Sequence, residues 1–311
     1  MQTLVIGLNP AVDVEWCVNS IHWDEKNVVQ GERRWAGGKS VNVARWLRHL
    51  GGPVRLLVPL GGSTGAELKR QLRGERVPLC ALPVAEPTRA NVMVTQEAGP
   101  QLRFNPKGPK LSGEEWRKFF ALAEAEMRRS ALVILSGALC RDARATIYRD
   151  LIRLARRLKL PCVLDCDGPA FAAGAAAGPL LVKPNEFELA QWAGRKLGSS
   201  SAVVQAAGEL SRATGGWVLV SRDAQGGLLL HAEAGVGWQA GVPKVRACNT
   251  VGAGDALLAA AARQIRQGAP PVEWLRQGLA TATAFVQFPA GELAPANAVE
   301  AMLKQIQPKP L

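Results

Sequence analysis

Short apolar runs rich in β-branched residues recur along this chain, and between most of them lie longer stretches whose apolar positions return every three or four residues. That alternation belongs to parallel strands joined by amphipathic helices, because a parallel crossover needs a connection long enough to hold a helix. The spacing predicts strands over 3–8, 54–60, 131–136, 161–165, 179–183 and 216–221. It predicts helices over 40–50, 64–74, 113–128, 142–158, 199–213, 253–267 and 271–287. The expected fold class is therefore α/β, a mostly parallel central sheet with helices on both faces. Every apolar run falls well short of the roughly 20 residues of a membrane span. Residues 1–7 carry no basic flank ahead of an apolar core, so they read as a first strand rather than an export signal, and a cytoplasmic location is expected.

Two stretches break the alternation. Residues 12–35 and 88–105 show a period of two, with Val12, Val14, Trp16 and Val18 in the first and Val92 and Val94 in the second. Neither contains the helix of a parallel crossover, so both are expected as antiparallel strands of a small sheet projecting as a lid. The main domain is then 1–11, 36–87 and 106–311, and the lid 12–35 and 88–105. Trp16, Trp23, Trp35 and Phe104 offer more apolar surface than such a flap can hide, which leads us to expect a homodimer through the lid. The alternative is that these aromatics fold back on their own domain.

A chain of 311 residues with 48% hydrophobic content can bury one large core. Its six cysteines include no Cys-x-x-Cys pair, and three histidines are too few to complete a zinc site, so we expect reduced thiols and no structural metal. The net charge of +12 suits an anionic ligand. Arg45, Arg48, Arg70, Arg73, Arg128, Arg129, Arg156 and Arg157 are spread along helical faces without interleaved aromatics, so no nucleic-acid partner is expected.

The chemistry concentrates in three segments. In 249–260 the small residues Gly252, Ala253 and Gly254 let the backbone approach an anion, and the first N–H groups of the following helix lack internal partners. A carboxylate repels a bound phosphate, so Asp255 needs another reason to stand there, such as taking a proton from an attacking hydroxyl. The bland alternative is a helix-capping Asp. In 36–44, Gly37 and Gly38 precede a helix whose first turn offers Asn42. Gly38-Lys39-Ser40 matches the end of a P-loop, but that motif requires a preceding strand and a glycine at the place held by Arg33, and the P-loop reading fails. Gly252-x-Gly254 lacks the third glycine of a dinucleotide fingerprint, since Leu257 occupies that position. In 182–188, Asn185 and Glu188 stand three apart after Lys183-Pro184, a spacing that fits oxygen ligands for hydrated Mg²⁺ and equally a helix capping box.

Taken together, these segments resemble the ribokinase-like (PfkB) carbohydrate kinases from end to end, with residues 37–50 and 249–260 similar to the family's two signatures. Within it the chain is most similar to the hexose-phosphate branch of 1-phosphofructokinase, tagatose-6-phosphate kinase and minor 6-phosphofructokinase. Asn9-Pro10-Ala11-Val12-Asp13, Thr88-Arg89-Ala90-Asn91, Lys183-Pro184-Asn185-x-x-Glu188 and Asn249-Thr250 carry that likeness. The resemblance implies ATP as phosphate donor with Mg²⁺ as cofactor, and a sugar or sugar phosphate as acceptor. It implies that Asp13 and Asn42 hold sugar hydroxyls, with Gly37, Gly38 and Ser136 lining the sugar. Asp255 would activate the acceptor while the N–H groups of Ala253, Gly254 and Asp255 stabilise the moving phosphoryl group. Arg89, Arg103 and Lys26 would grip the phosphate already on the sugar. Lys183, Ser221, Gly226, Thr250, Gly252 and Gly254 would serve the nucleotide, and Asn185 and Glu188 would position Mg²⁺ through water.

The implied reaction is ATP-dependent phosphorylation of a hexose phosphate, foremost fructose 1-phosphate to fructose 1,6-bisphosphate. Alternatives are a tagatose-6-phosphate or fructose-6-phosphate kinase, a kinase of a neutral sugar or nucleoside, and a non-catalytic sugar or nucleotide sensor. The departures bear on these. Ser40 replaces a glycine of the first signature, and Asp223 replaces one in the nucleotide loop. Cys140-Arg141-Asp142 replaces a proline-glycine run, and Ala260 stands in the small-residue pair after the catalytic turn. Val28 and Met93 stand where basic residues often bind the sugar phosphate, a loss of about 1.5–3 kcal/mol per charged hydrogen bond.

Overall fold

The computed structural model describes residues 1–96 and 101–311, so residues 97–100 of the expected lid lie outside the described residues. The strands are β1 (Gln2–Ile6), β2 (Ala11–Val18), β3 (Gly31–Gly37), β4 (Val54–Leu60), β5 (Leu79–Pro83), β6 (Arg89–Gln96), β7 (Leu102–Phe104), β8 (Ser130–Ser136), β9 (Cys162–Asp165), β10 (Leu181–Val182), β11 (Trp217–Ser221), β12 (Gly227–His231), β13 (Val236–Ala240) and β14 (Lys309–Pro310). The helices are α1 (Lys39–His49), α2 (Gly62–Gly74), α3 (Gly113–Met127), α4 (Ile147–Arg157), α5 (Gly168–Ala175), α6 (Glu186–Ala193), α7 (Ser200–Thr214), α8 (Ala253–Arg266), α9 (Pro271–Phe285) and α10 (Ala296–Leu303).

Among the described residues the large sheet runs β14-β13-β12-β11-β10-β9-β8-β1-β4-β5. It is parallel from β11 to β5 and antiparallel from β11 to β14. Side chains alternate across it, as the pleat requires. Val5 faces a core shared with α1, α2, α8 and α9, while Leu4 and Ile6 face a second core shared with α3, α4, α5 and α7. A sheet covered on both faces presents its binding edge where the parallel strands end, and the loops at that edge carry the candidate residues.

The lid runs β3-β2-β6-β7. Its two outer pairings are antiparallel as expected, but β2 and β6 run parallel from Ala11↔Arg89 to Val18↔Gln96. The reason is topological: both strands leave the main domain at the same edge, with β3, α1, β4, α2 and β5 between them in the chain. The four aromatics divide. Trp16, Trp23 and Phe104 are 36%, 80% and 55% exposed. Trp35 turns back to the main domain, where its indole packs so closely on Gly291 that a Cβ there would fall 2.7 Å from the ring.

Other differences have local causes. The helix expected from 142 starts at Ile147, because Asp142 takes a left-handed φ of 58°. α5 is short and Ala/Gly-rich, with little amphipathic period to betray it. Among the described residues no helix is long and apolar enough to cross a membrane, and all six cysteines are free thiols.

Ser40 finds its explanation here. It is buried in the first turn of α1, and a Cβ on Gly7 would overlap its side chain. The missing side chain at 7 makes room for the extra one at 40, and lets α1 lie against the end of β1. Gly7→Ala should therefore lower stability by about 1–3 kcal/mol, the usual scale of overpacking. Adding Ser40→Gly should restore most of it. Chemical denaturation of the two single variants and the double variant measures this, and additive losses would contradict the contact.

Candidate functional site

The turn before α8 is built by Asn249, whose Oδ1 accepts the Val251 N–H (3.0 Å) and whose Nδ2 donates to the Val251 carbonyl (3.1 Å). Gly252 follows with φ 94°, which favours glycine. The carbonyl of Thr250 accepts the N–H of Ala253 (3.3 Å), and that of Gly252 accepts those of Asp255 (3.1 Å) and Ala256 (3.0 Å). Among the described residues the N–H groups of Gly252 and Gly254 have no such partner. The amides open to an anion are thus those of Gly252 and Gly254, whereas the expected set was 253–255.

Asp255 stands in the first turn of α8, 5% exposed. Its carboxylate does not cap the helix. Instead Oδ2 accepts Asn42 Nδ2 of α1 at 2.9 Å. Burial pushes its pKa up to about 7, with the Asp165 carboxylate adding to the rise, while Lys39, Asn42 and Lys183 pull the other way. Asp165, at the end of β9, is fully buried; Oδ1 lies 3.4 Å from both Lys39 Nζ and Lys183 Nζ, and Oδ2 has no partner. Lys39 also reaches Glu188 (3.5 Å). Burial alone would lower its pKa, but the surrounding carboxylates of Asp165, Glu188, Asp255 and Asp167 raise it instead. The Lys183 ammonium lies beside Gly254, 3.4 Å from where a Cβ would stand.

Asn185 and Glu188 form the capping box of α6: Asn185 Oδ1 accepts the Glu188 N–H (2.7 Å) and Glu188 Oε2 the Asn185 N–H (2.9 Å). The capping alternative is therefore realised, which leaves Glu188 Oε1, facing Lys39, as the oxygen turned toward the other charges. Among the described residues no cluster of three or more His, Cys, Asp or Glu is spaced to hold a metal by itself. Beside this cap, Ser221 donates its N–H to the Pro184 carbonyl (3.2 Å). Gly226 turns with φ 89°, and any Cβ there would overlap the Ala240 carbonyl. Asp223 takes φ 47°, so the glycine it replaces is substituted by a residue type that tolerates that conformation.

On the lid side, Asp13 is buried and accepts Asn91 Nδ2 at 2.7 Å. Its pKa is raised by burial, against the lowering effect of Asn91, Arg89, Arg45 and the Gly38 N–H. A Cβ on Gly37 would overlap its carboxylate, and Gly38 (φ 90°) packs on the backbone of 9–11. Asp13, Trp35, Asn42, Val251, Gly252 and Phe285 line one pocket, so the lid and the turn before α8 meet there.

Not every expected residue joins it. Ser136 is wholly buried at the end of β8, in register with Asp165, and its hydroxyl has no partner. Arg89 donates to the carbonyls of Pro106 (2.9 Å) and Asn9 (3.1 Å). Arg103 is exposed on edge strand β7, its Nε on Gln101 (2.8 Å). Lys26 is exposed in the connection between β2 and β3, and Thr250 is exposed in the turn before α8. Sequence reasoning missed Asp165 and Lys39. The signal for Asp165 was an acid closing a strand of a parallel sheet; Lys39 was set aside together with the failed P-loop reading.

A family model described as pfkB family carbohydrate kinase matches residues 4–294. The ATP-dependent 6-phosphofructokinase isozyme 2 of Escherichia coli (strain K12) is 34% identical over 251 residues, covering 80% of this chain and 80% of that protein. The 1-phosphofructokinase of the same organism is 34% identical over 259 residues, covering 81% and 80%. The crystal structure of phosphofructokinase-2 from Escherichia coli in complex with substrates and products superposes with a TM-score of 0.91 at 29% identity, covering 98% of this chain and 99% of that one.

The raised pKa of Asp255 has a consequence for stability. The unfolded chain releases this proton near the ordinary value of 3.8 and the folded chain only near about 7, so the native state is progressively destabilised as pH rises between the two. Asp255→Asn removes that penalty. Relative to the wild type the variant should gain about 2–3 kcal/mol on going from roughly pH 5 to roughly pH 8. Urea denaturation at both pH values checks this, and a pH-independent difference would contradict it.

Proposed function

We propose a substrate and a mechanism on the premise that this chain belongs to the pfkB family of carbohydrate kinases. It is a hexose-phosphate kinase that uses ATP together with a metal ion. The finer reading is that it converts fructose 1-phosphate to fructose 1,6-bisphosphate, with tagatose 6-phosphate and fructose 6-phosphate as the neighbouring acceptors. The observation that carries the mechanism is Asp255, a buried carboxylate whose pKa of about 7 suits a general base at neutral pH, beside two free amides and across one pocket from Asp13.

Asp255 accepts the proton of the sugar hydroxyl. The freed oxygen lone pair attacks the γ-phosphorus as the bond to the bridging oxygen breaks, and ADP leaves with that electron pair. Charge on the transferring group is met by the N–H groups of Gly252 and Gly254 and by the Lys183 ammonium beside them. Asp13 and Asn42 orient the acceptor, Gly37 and Gly38 leave room for its ring, and Arg89 grips its phosphate, with Arg103 and Lys26 as candidate helpers. Ser221, Gly226 and Thr250 border the nucleotide.

The oxygen donors fit Mg²⁺: Asp165 Oδ2 is buried without a partner, and Glu188 Oε1 is not used by the cap. Glu188, Asn185 and Asp165 would hold the ion through water, and its chemistry there is to neutralise triphosphate charge. The exposed Trp16, Trp23 and Phe104 support a homodimer through the lid, with the remaining chain as the catalytic domain. A cytoplasmic location agrees with the absence of a membrane-crossing helix among the described residues.

Val28 and Met93 favour a second reading, a kinase of a neutral sugar. Two variants test both. Asp255→Asn should lower turnover by at least about a thousandfold while changing ATP affinity only modestly, and unaltered turnover would refute the base. Arg89→Ala should raise KM for the hexose phosphate by about tenfold or more, whereas a neutral-sugar kinase would keep its KM.

A further inference from the structure

We propose that Lys107 is the second cation of the sugar-phosphate clamp, acting beside Arg89 from the same subunit; the proposal rests on the hexose-phosphate reading above. Arg89 is held in place by the carbonyls of Pro106 (2.9 Å) and Asn9 (3.1 Å), and its Nε is buried without a partner. The next residue along, Lys107, has its own carbonyl fixed by Asn9 Nδ2 (2.9 Å), which also donates to the Leu139 carbonyl (2.9 Å). Gly108 turns with φ 82°, and a Cβ there would overlap the Asn9 amide. One amide thus pins the 106–108 strap, the 136–142 loop and the anchor of Arg89 together, so the backbone of Lys107 is set within one residue of that guanidinium.

The Lys107 side chain is exposed and, among the described residues, makes no hydrogen bond or ion pair. Its stem of four carbons lets the ammonium swing over the Arg89 site. Arg89 has no carboxylate within ion-pair distance among the described residues either. Asp13 and Asp167 act on Arg89 only from beyond ion-pair distance, so the two cations still repel each other, and an incoming phosphate removes the repulsion. Unsatisfied buried atoms collect nearby. Asn9 Oδ1, Arg89 Nε and Asn91 Oδ1 all lack partners where the lid joins the main sheet, as expected of groups that await a ligand.

The rival cations are less well placed within one chain. Arg103 is committed to Gln101 on an edge strand opposite Met93, and Lys26 sits in the exposed connection between β2 and β3. Lys107 replaces, from another segment, the positive charge absent at Val28 and Met93.

The test is steady-state kinetics of Lys107→Ala and Lys107→Arg with a hexose phosphate, the matching unphosphorylated hexose and ATP. Lys107→Ala should raise KM for the hexose phosphate by roughly tenfold to a hundredfold, with the loss in KM rather than kcat. It should leave KM for the neutral hexose and for ATP where they were, and Lys107→Arg should recover most of the loss. An unmoved KM in an enzyme that does use a hexose phosphate overturns the role of Lys107 alone. An equal rise for the neutral hexose overturns it too, because the strap's shape and not its charge would then matter. A wild-type enzyme that turns over only neutral sugars overturns the hexose-phosphate reading, and the clamp with it.

Discussion

Two carboxylates and two ammonium groups meet at this site, and three of the four, Asp165, Asp255 and Lys183, are buried. Asp165 lies 3.4 Å from both Lys39 and Lys183, so its Oδ1 occupies the cations, and Asp255 is left with the amide of Asn42 as its hydrogen-bond partner. A buried carboxylate without an ion pair holds its proton more tightly than one in water. This division of partners gives Asp255 a proton affinity matched to neutral pH, and it depends on every member. Two acids without the lysines could not stay together, and two lysines without Asp165 would pair with Asp255 and remove its basicity.

The fold exists, in this sense, to bring those four side chains to one edge. Asp165 and Lys183 lie at or just beyond the ends of neighbouring strands β9 and β10, Lys39 opens α1 and Asp255 sits in the first turn of α8. Close approach of α1 to the sheet needs Gly7 opposite Ser40, and the turn into α8 needs Gly252 with its φ of 94°. The parallel register of β2 and β6 pairs Ala11 with Arg89 and Asp13 with Asn91, so Asp13 and Arg89 stand two positions apart on neighbouring strands of the lid.

Most of this was legible in the chain. The periodicities found the main parallel strands and the long helices, because those elements carry full apolar faces. They missed β5, the β12–β14 extension, α5, α6 and α10, which are short or lack a clean period. Both signature segments were visible because small residues there answer to backbone geometry, as the positive φ of Gly38 and Gly252 shows. What stayed hidden depends on partners distant in sequence. Nothing local marks Asp165 as the counter-ion of Lys39, 126 positions away. Nor does it show that Ser136 is wholly buried at the end of β8, or that Asn185 and Glu188 spend most of their oxygens on each other's amides. The departures follow the same logic: Asp223 and Asp142 stand at left-handed turns that Asp tolerates, so they leave the frame intact.

The most direct measurement is the proton affinity of Asp255 itself, read from its carboxyl carbon signal in a pH titration of ¹³C-labelled protein, in the wild type and in Lys39→Met. The account predicts a midpoint near about 7 in the wild type and a higher one in the variant, since the lysine pulls it down. A midpoint in the ordinary carboxylate range, or one that ignores the loss of Lys39, would contradict it.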